Sequence, residues 1–524
     1  MAVAKYKPLS FTTTLRNPER IPAFLKCLAE FEGQTLTSDV IHEVVKSVIG
    51  KRLYKPTSVS RSPELSEIYN NEEVDFSVLQ LEQIVIENKQ HHKEAGFAAG
   101  WDSRFDTWYK IMKEFGFANY SMGRPIIITQ TGHMLIDAYS EEPVNGRKIQ
   151  KVYLNALMKY QTNNPLRKNL NENAPLPLLL NVIKKSHEDP ENSNDAGLAR
   201  AELPILICWT DNDAEAAYKY IKDIRSHVGF RASDEYIYEH CLSILQSDNR
   251  NYFKMDKICH EAVDEYIRKM RMSGLLSLRG NGRFFDINRF EEEAANYVID
   301  NYSKYDKYET ADEYIEYMGT IDSNILSTKE AATEEVSTVK QKKLAECSKQ
   351  YSKETIFTEL RNVCHHKESQ DDVLKYIPGP TRLEFLTSIA LVQNFDGLKV
   401  LPNYPVDDEG FPTSTASGGK ADIECFDTDY DSYYEVTLMC GRADQVNNEI
   451  IPIGRHLLEV IDERRPESFA VFIAPAIHSD TISACEWQKY RNNIDIIPYN
   501  IEEFIQGVAK NERASSLLYK KSEK

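Results

Sequence analysis

The chain has 524 residues, a formal net charge of -18, and 41% hydrophobic, 27% charged and 10% aromatic residues. That length suggests about three domains, and the composition excludes wholesale disorder. No apolar run approaches the roughly 18 residues of a membrane span, and no apolar signal core follows Met1–Lys7, so a cytoplasmic protein with no membrane partner is expected. The nine cysteines form no Cys-x-x-Cys pair, and Cys364-His365-His366 lacks a second half at zinc spacing. A net charge of -18 argues against a uniformly basic nucleic-acid binder, so charge has to be read locally.

In chain order, Asn17 and Pro18 are placed to cap and open a helix through Leu25, Leu28 and Phe31, with Arg16 ahead of it as a candidate phosphate contact. At 101–138, Trp108, Ile111, Met112 and Phe115 share one helix face, with Asp102 or Ser103 as cap. Gly116 follows, then a strand at Phe117–Tyr120, a turn at Ser121–Arg124, a strand at Ile126–Thr129 and a helix from Thr131. Helix, hairpin, helix is the order of a winged-helix unit. Arg104, Lys110, Lys113 and Arg124 fall on its outward positions or in its wing, where such folds meet DNA, although many winged helices bind only proteins.

The segment 175–225 reads as helical, with a buried stretch Leu203–Trp209 and Asp211 or Asn212 capping the helix after it; Ser186–Gly197 reads as a loop. The helix–hairpin pattern recurs at 255–300. Val263, Tyr266, Ile267 and Met270 form the stripe, Gly274 ends it, and Arg279-Gly280-Asn281-Gly282-Arg283 turns between the strands Leu275–Leu278 and Phe284–Ile287. From 268 to 289, Arg268, Lys269, Arg271, Arg279, Arg283 and Arg289 face the single acid Asp286. This cluster predicts a basic surface for nucleic acid. The Ser/Thr/Lys/Glu-rich stretch from Ser323 to about Gln350 reads as an exposed helical spacer.

Beyond it, Pro378-Gly379-Pro380 leads into a helix through Leu383, Leu386 and Ile389 that carries Glu384. Strands follow at Leu398–Leu401, Ala421–Phe426 and Tyr433–Leu438, then a helix with Glu449, Arg455 and His456, then the strand Phe469–Ala474. On adjacent strands Asp422 and Glu435 can share one end of the sheet, with Glu384 approaching from the helix. Three such carboxylates repel unless a hard divalent cation sits among them. Magnesium suits that donor set and can activate a water for in-line attack on phosphorus.

This arrangement resembles the PD-(D/E)XK nuclease core. Asp422 stands as the first acid, preceded by Ala421 rather than proline, and Glu435-Val436-Thr437 as the second, with Thr437 where the lysine usually stands. Lys420, Arg455, His456 or a second metal are the candidates for the missing charge. With Glu449–His456, Phe472–Pro475 and Ile496–Pro498, the run is similar to the catalytic domain of the AlwI family of type IIS restriction endonucleases and their strand-nicking relatives. Phe11–Arg20, Phe31-Glu32-Gly33 and Trp108–Phe117 with its wing extend the resemblance over most of the chain.

The resemblance implies Glu384, Asp422 and Glu435 as metal-binding catalytic acids, Glu449 and His456 as auxiliary catalytic groups, and Mg²⁺ as cofactor. It implies a multidomain fold: mainly α winged-helix (helix-turn-helix) recognition domains over 1–150 and 151–322, a helical linker over 323–355, and an α/β PD-(D/E)XK nuclease domain with a mixed central sheet over 356–524. The expected partner is double-stranded DNA, cut at a fixed offset from a short asymmetric site. A homodimer or a second nuclease subunit would be needed for double-strand cleavage, and a cognate methyltransferase belongs to such a system. The competing readings are a strand-specific nicking enzyme, a winged-helix regulator with an inactive nuclease-like domain, which Thr437 favours, and a phosphoesterase acting on something other than duplex DNA.

Overall fold

The computed structural model describes all residues except 1–4, 13, 16, 71–73, 142–143, 193–195, 329–331, 417–419, 442–444, 464–467 and 520–524. Most of the chain is helical, with two small antiparallel sheets in the first two thirds and one mixed sheet near the C-terminus.

Helix α1 (Trp101–Glu114) buries Phe105, Trp108, Tyr109, Ile111 and Met112 completely or nearly so. Its cap is Gly100 rather than Asp102 or Ser103. Both side chains are engaged elsewhere: Asp102 accepts from Ser38 Oγ at 2.5 Å, and Ser103 Oγ donates to Ala98 O at 2.8 Å. The hairpin β1 (Ala118–Asn119) and β2 (Ile127–Ile128) follows. Helix α2 (Gln130–Ser140) is capped by Thr129, whose Oγ1 accepts from Gly132 N at 3.1 Å. A Cβ at Gly132 would lie 2.1 Å from Phe117 O, so the helix can sit this close to the hairpin only without a side chain there. Gly132→Ala is expected to lower stability by about 1–3 kcal/mol, measured by denaturant unfolding.

The second helix–hairpin unit repeats the order. Strand β3 (Leu198–Ala199), helix α3 (Ala262–Arg271) and the hairpin β4 (Leu276–Arg279) and β5 (Phe284–Ile287) build a three-stranded sheet in the order β3-β5-β4. The stretch Leu203–Cys208 is a buried helix, as its apolar run implies. The helix after it is capped by Asp213, whose Oδ1 accepts from Ala216 N at 3.0 Å. Asp211 instead accepts from Trp209 Nε1 at 2.9 Å, and Asn212 from Ala174 N at 2.9 Å.

Helix α4 (Thr333–Gln350) is helical and largely exposed, as the spacer reading expects, but it is not free-standing. It lies against α5 (Gly379–Asn394) and the edge strand β6 (Lys399–Pro402). Lys340 Nζ donates to Pro402 O at 2.9 Å, Gln341 Nε2 to Val400 O at 3.1 Å, and Gln393 Nε2 to Ser348 O at 2.9 Å. Leu344 and Cys347 are each only 2% exposed. So narrow an apolar seam leaves little periodic signal in the sequence.

The C-terminal sheet adds β7 (Ile423–Phe426), β8 (Asp431–Val436), β9 (Ser468–Ala474) and β10 (Asp495–Asn500) in the order β10-β9-β8-β7-β6. The pairs β10/β9 and β9/β8 are parallel, and β8/β7 and β7/β6 antiparallel. Every residue of β9 is buried, as expected for a central strand covered on both faces. Phe469, Val471 and Ile473 join the core formed with α5. Ala470, Phe472 and Ala474 join a second core with Ile453 and Leu457 of helix α6 (Ile451–Glu463) and Cys485 of helix α7 (Ser479–Asn492).

The loop between β6 and β7 ties this sheet to the second helix–hairpin unit. Arg279 Nη2 donates to Asp408 at 2.5 Å, its Nη1 to Glu409 at 2.9 Å and its Nε to Asp286 at 2.6 Å. Ser277 Oγ donates to Asp408 at 2.6 Å, and Arg271 pairs with Asp407 at 3.5 Å. Burial pushes the Asp407 carboxyl up to about 7, with Arg271 pulling against it.

Candidate active site

The antiparallel register Ile423↔Tyr434 puts Asp422, just before β7, opposite Glu435 on β8. Asp422 Oδ2 accepts from Val436 N at 2.8 Å, which fixes the first acid to the strand that carries the second. Glu384 projects from α5, is 3% exposed, and its Oε2 accepts from Ala416 N at 3.0 Å. Glu449 lies in the helical turn Gln445–Ile450 that leads into α6.

These acids act on one another. Burial holds the Glu384 carboxyl well above the usual carboxylate range; the Asp422 and Glu435 carboxylates add to this, while the Ala416 N–H and Lys340 oppose it. Burial pushes the Glu435 carboxyl up to about 8, helped by Glu449 and opposed by hydrogen bonds from Asp422. Glu384, Asp422, Glu435 and Glu449 therefore influence one another electrostatically. They do not form a closed cage: among the described residues, no three His, Cys, Asp or Glu side chains group closely enough to hold a metal ion. The donor chemistry nonetheless fits a hard divalent cation, because carboxylates that resist ionising together are relieved by one.

The sites expected for the missing lysine resolve unevenly. Thr437 is buried, its N–H donates to Ile473 O at 2.9 Å and its Oγ1 accepts from Met439 N at 3.1 Å, so it brings no charge. Lys420 and Arg455 are exposed. His456 lies on α6, and its side chain falls outside the described residues. The cation that opposes the Glu384 shift is Lys340 from α4, which sequence reasoning missed. Its segment reads as polar spacer, and only the fold brings α4 beside the sheet.

The cations expected to meet DNA divide. Arg16 lies outside the described residues. Arg124 is exposed and pairs with Asp312 at 3.0 Å; Arg283 is exposed on the second hairpin, over the Phe284 ring. Arg104, Lys110, Lys113 and Arg268 are partly buried. Arg104 bonds His92 at 2.8 Å, Lys110 pairs with Glu94 at 3.2 Å, Lys113 donates to Tyr120 O at 2.8 Å and Arg268 to Lys375 O at 2.9 Å. Lys269 and Arg271 correct the expectation. Lys269 is 0% exposed and pairs with Glu265 at 2.9 Å, and Arg271 is buried against Asp407. Arg279 likewise spends its guanidinium on internal acids. The partners of Arg271 and Arg279 at 407–409 lie more than a hundred residues away, so a local charge count could not separate a solvated cation from a buried, paired one.

A family model described as AlwI restriction endonuclease matches residues 113–377 and 319–506. No curated protein matches the chain. Among solved structures, the small subunit (R.BspD6I2) of the heterodimeric restriction endonuclease R.BspD6I is 21% identical over 29% of this chain and 77% of its own, with a TM-score of 0.25. Restriction endonuclease FokI is 10% identical over 98% of this chain and 97% of its own, with a TM-score of 0.24; bound to DNA it gives the same identity and coverage with a TM-score of 0.25. No helix among the described residues is long and apolar enough to cross a membrane.

Proposed function

The chain belongs to the AlwI restriction endonuclease family, and from that premise we propose that it is a sequence-specific, Mg²⁺-dependent endonuclease of type IIS design. It hydrolyses DNA phosphodiester bonds at a fixed offset from a short asymmetric site. The observation that carries this reading is the juxtaposition of Asp422 and Glu435 across the paired strands β7 and β8, fixed by the Val436 N–H, with Glu384 and Glu449 acting on them electrostatically.

In this reading the C-terminal sheet is a PD-(D/E)XK core. Glu384, Asp422 and Glu435 would hold the ion, which when bound supplies an activated water and stabilises the leaving oxygen. The chain does the positioning. The Val436 N–H fixes Asp422 and the Ala416 N–H fixes Glu384, so two acids are oriented before DNA arrives. Glu449 acts electrostatically on Glu435 and enters as an auxiliary group that would help hold an ion or orient water. His456 enters as an auxiliary group through the family resemblance alone.

The two helix–hairpin units, read as winged helices, would supply recognition, with Arg124 and Arg283 on their hairpins turned outward to phosphates. One nuclease domain cuts one strand, so double-strand cleavage would require a homodimer or a second nuclease subunit. A cytoplasmic location and a cognate methyltransferase go with the same reading.

Purified protein is expected to cut plasmid DNA with Mg²⁺ and to leave it intact with EDTA. Intact plasmid across divalent ions would favour the regulator reading that Thr437 supports. A second expectation concerns pH. Glu435 has a folded value of about 8 against 4.5 for a free glutamate, so the folded state keeps a proton that the unfolded chain loses. Without divalent ion, stability is therefore full below pH 4.5 and falls as pH rises toward about 8. Melting curves with EDTA should show that slope, Glu435→Gln should lessen it, and Mg²⁺ should flatten it.

A further inference from the structure

We propose that Lys340 is a positioning residue of the active site, supplying from α4 the positive charge that position 437 lacks. The proposal rests on the nuclease reading above. Its ammonium is pinned from two sides: Nζ donates to Pro402 O at 2.9 Å, at the end of β6, and lies 5.3 Å from the centre of the fully buried Tyr404 ring. β6 pairs with β7, and the chain enters β7 through Asp422, so this anchor sits beside the acid-bearing end of the sheet.

The charged groups that act on Lys340 are Glu384 from α5, which attracts it, and Lys420, which repels it. Burial lowers its pKa to about 8 while Glu384 opposes the shift. Neighbouring Lys343 turns elsewhere, over the Phe411 ring at 4.7 Å and toward Glu346 at 3.0 Å. Lys340 is half-buried, and the acid whose charge reaches it is Glu384. Lys340 thus offsets part of the charge of the acid cluster and sets positive charge near where negative charge grows on the phosphate during cleavage. Nothing in the local sequence of α4 announces this, because the helix reaches the site only through its packing on β6.

The test compares wild type, Lys340→Met and Lys340→Arg in single-turnover cleavage, site binding, thermal melting and calorimetric titration with Mn²⁺. Lys340→Met should cut on the order of 100-fold more slowly and bind site DNA as before. It should also bind Mn²⁺ several-fold more tightly, since the cluster has lost a compensating charge. Lys340→Arg should recover the rate to within about tenfold of wild type.

Rate falling while metal affinity rises is a signature that a purely structural prop would not give. A Lys340→Met protein that cuts at the wild-type rate overturns the proposal and leaves the nuclease reading standing. So does one that loses rate, Mn²⁺ affinity and melting temperature together without recovery by arginine. If wild type cuts nothing, the nuclease reading fails, and unchanged Mn²⁺ affinity in Lys340→Met then removes Lys340 from the acid cluster as well.

Discussion

Asp422→Ala and Glu435→Ala should each slow DNA cleavage on the order of a thousandfold or more while leaving site-specific binding within about twofold. The reason is the division of labour in the fold. Both acids sit in the C-terminal sheet, whereas the exposed hairpin cations Arg124 and Arg283 sit in the two helix–hairpin units. Neither change should unfold the chain. Burial, helped by Glu449, holds the Glu435 carboxyl up to about 8, so removing it relieves the cost of keeping that acid out of water. Gel-shift binding and single-turnover cleavage on the same preparation separate the two properties. Loss of binding together with cleavage would place these residues in the fold rather than in the chemistry.

Arg279→Ala should destabilise the protein by about 3–5 kcal/mol, because it strands buried carboxylates without their cation. Asp286 and Asp408 side chains are 1% and 6% exposed, and Arg279 donates to both and to Glu409. Asp408 and Glu409 come from the loop between β6 and β7, so the loss should also loosen the second helix–hairpin unit from the nuclease sheet. Denaturant unfolding measures the first effect and limited proteolysis the second. Arg279→Lys should restore only part of the stability, since one ammonium cannot reproduce a planar fork reaching three acids. If Arg279 instead met DNA, the alanine variant would keep its stability and lose affinity with a shallower salt dependence.

The elements were legible where one periodicity dominates. The stripe at Trp108, Ile111 and Met112, the Gly-rich turn at 280–282 and the continuous apolar run of β9 each follow from local pattern, and the structure shows them. The acids were legible too, because Asp422 and Glu435 flank one hairpin and strand register brings them together. Contacts between distant segments were not. Arg271 and Arg279 look like surface cations until Asp407, Asp408 and Glu409 pack against them, and α4 looks like a spacer until Lys340 and Gln341 bond to β6. Caps failed for a related reason: Asp102, Ser103 and Asp211 are good capping types, but tertiary or loop partners claim them first.

The measurement that bears most directly on the account is run-off sequencing of both strands after incubation of a plasmid with the purified protein and Mg²⁺. The account predicts that reads stop at one fixed distance from a single short asymmetric sequence, and that the stops vanish with Asp422→Ala. Random stops, or stops that survive Asp422→Ala and Glu435→Ala alike, would contradict it.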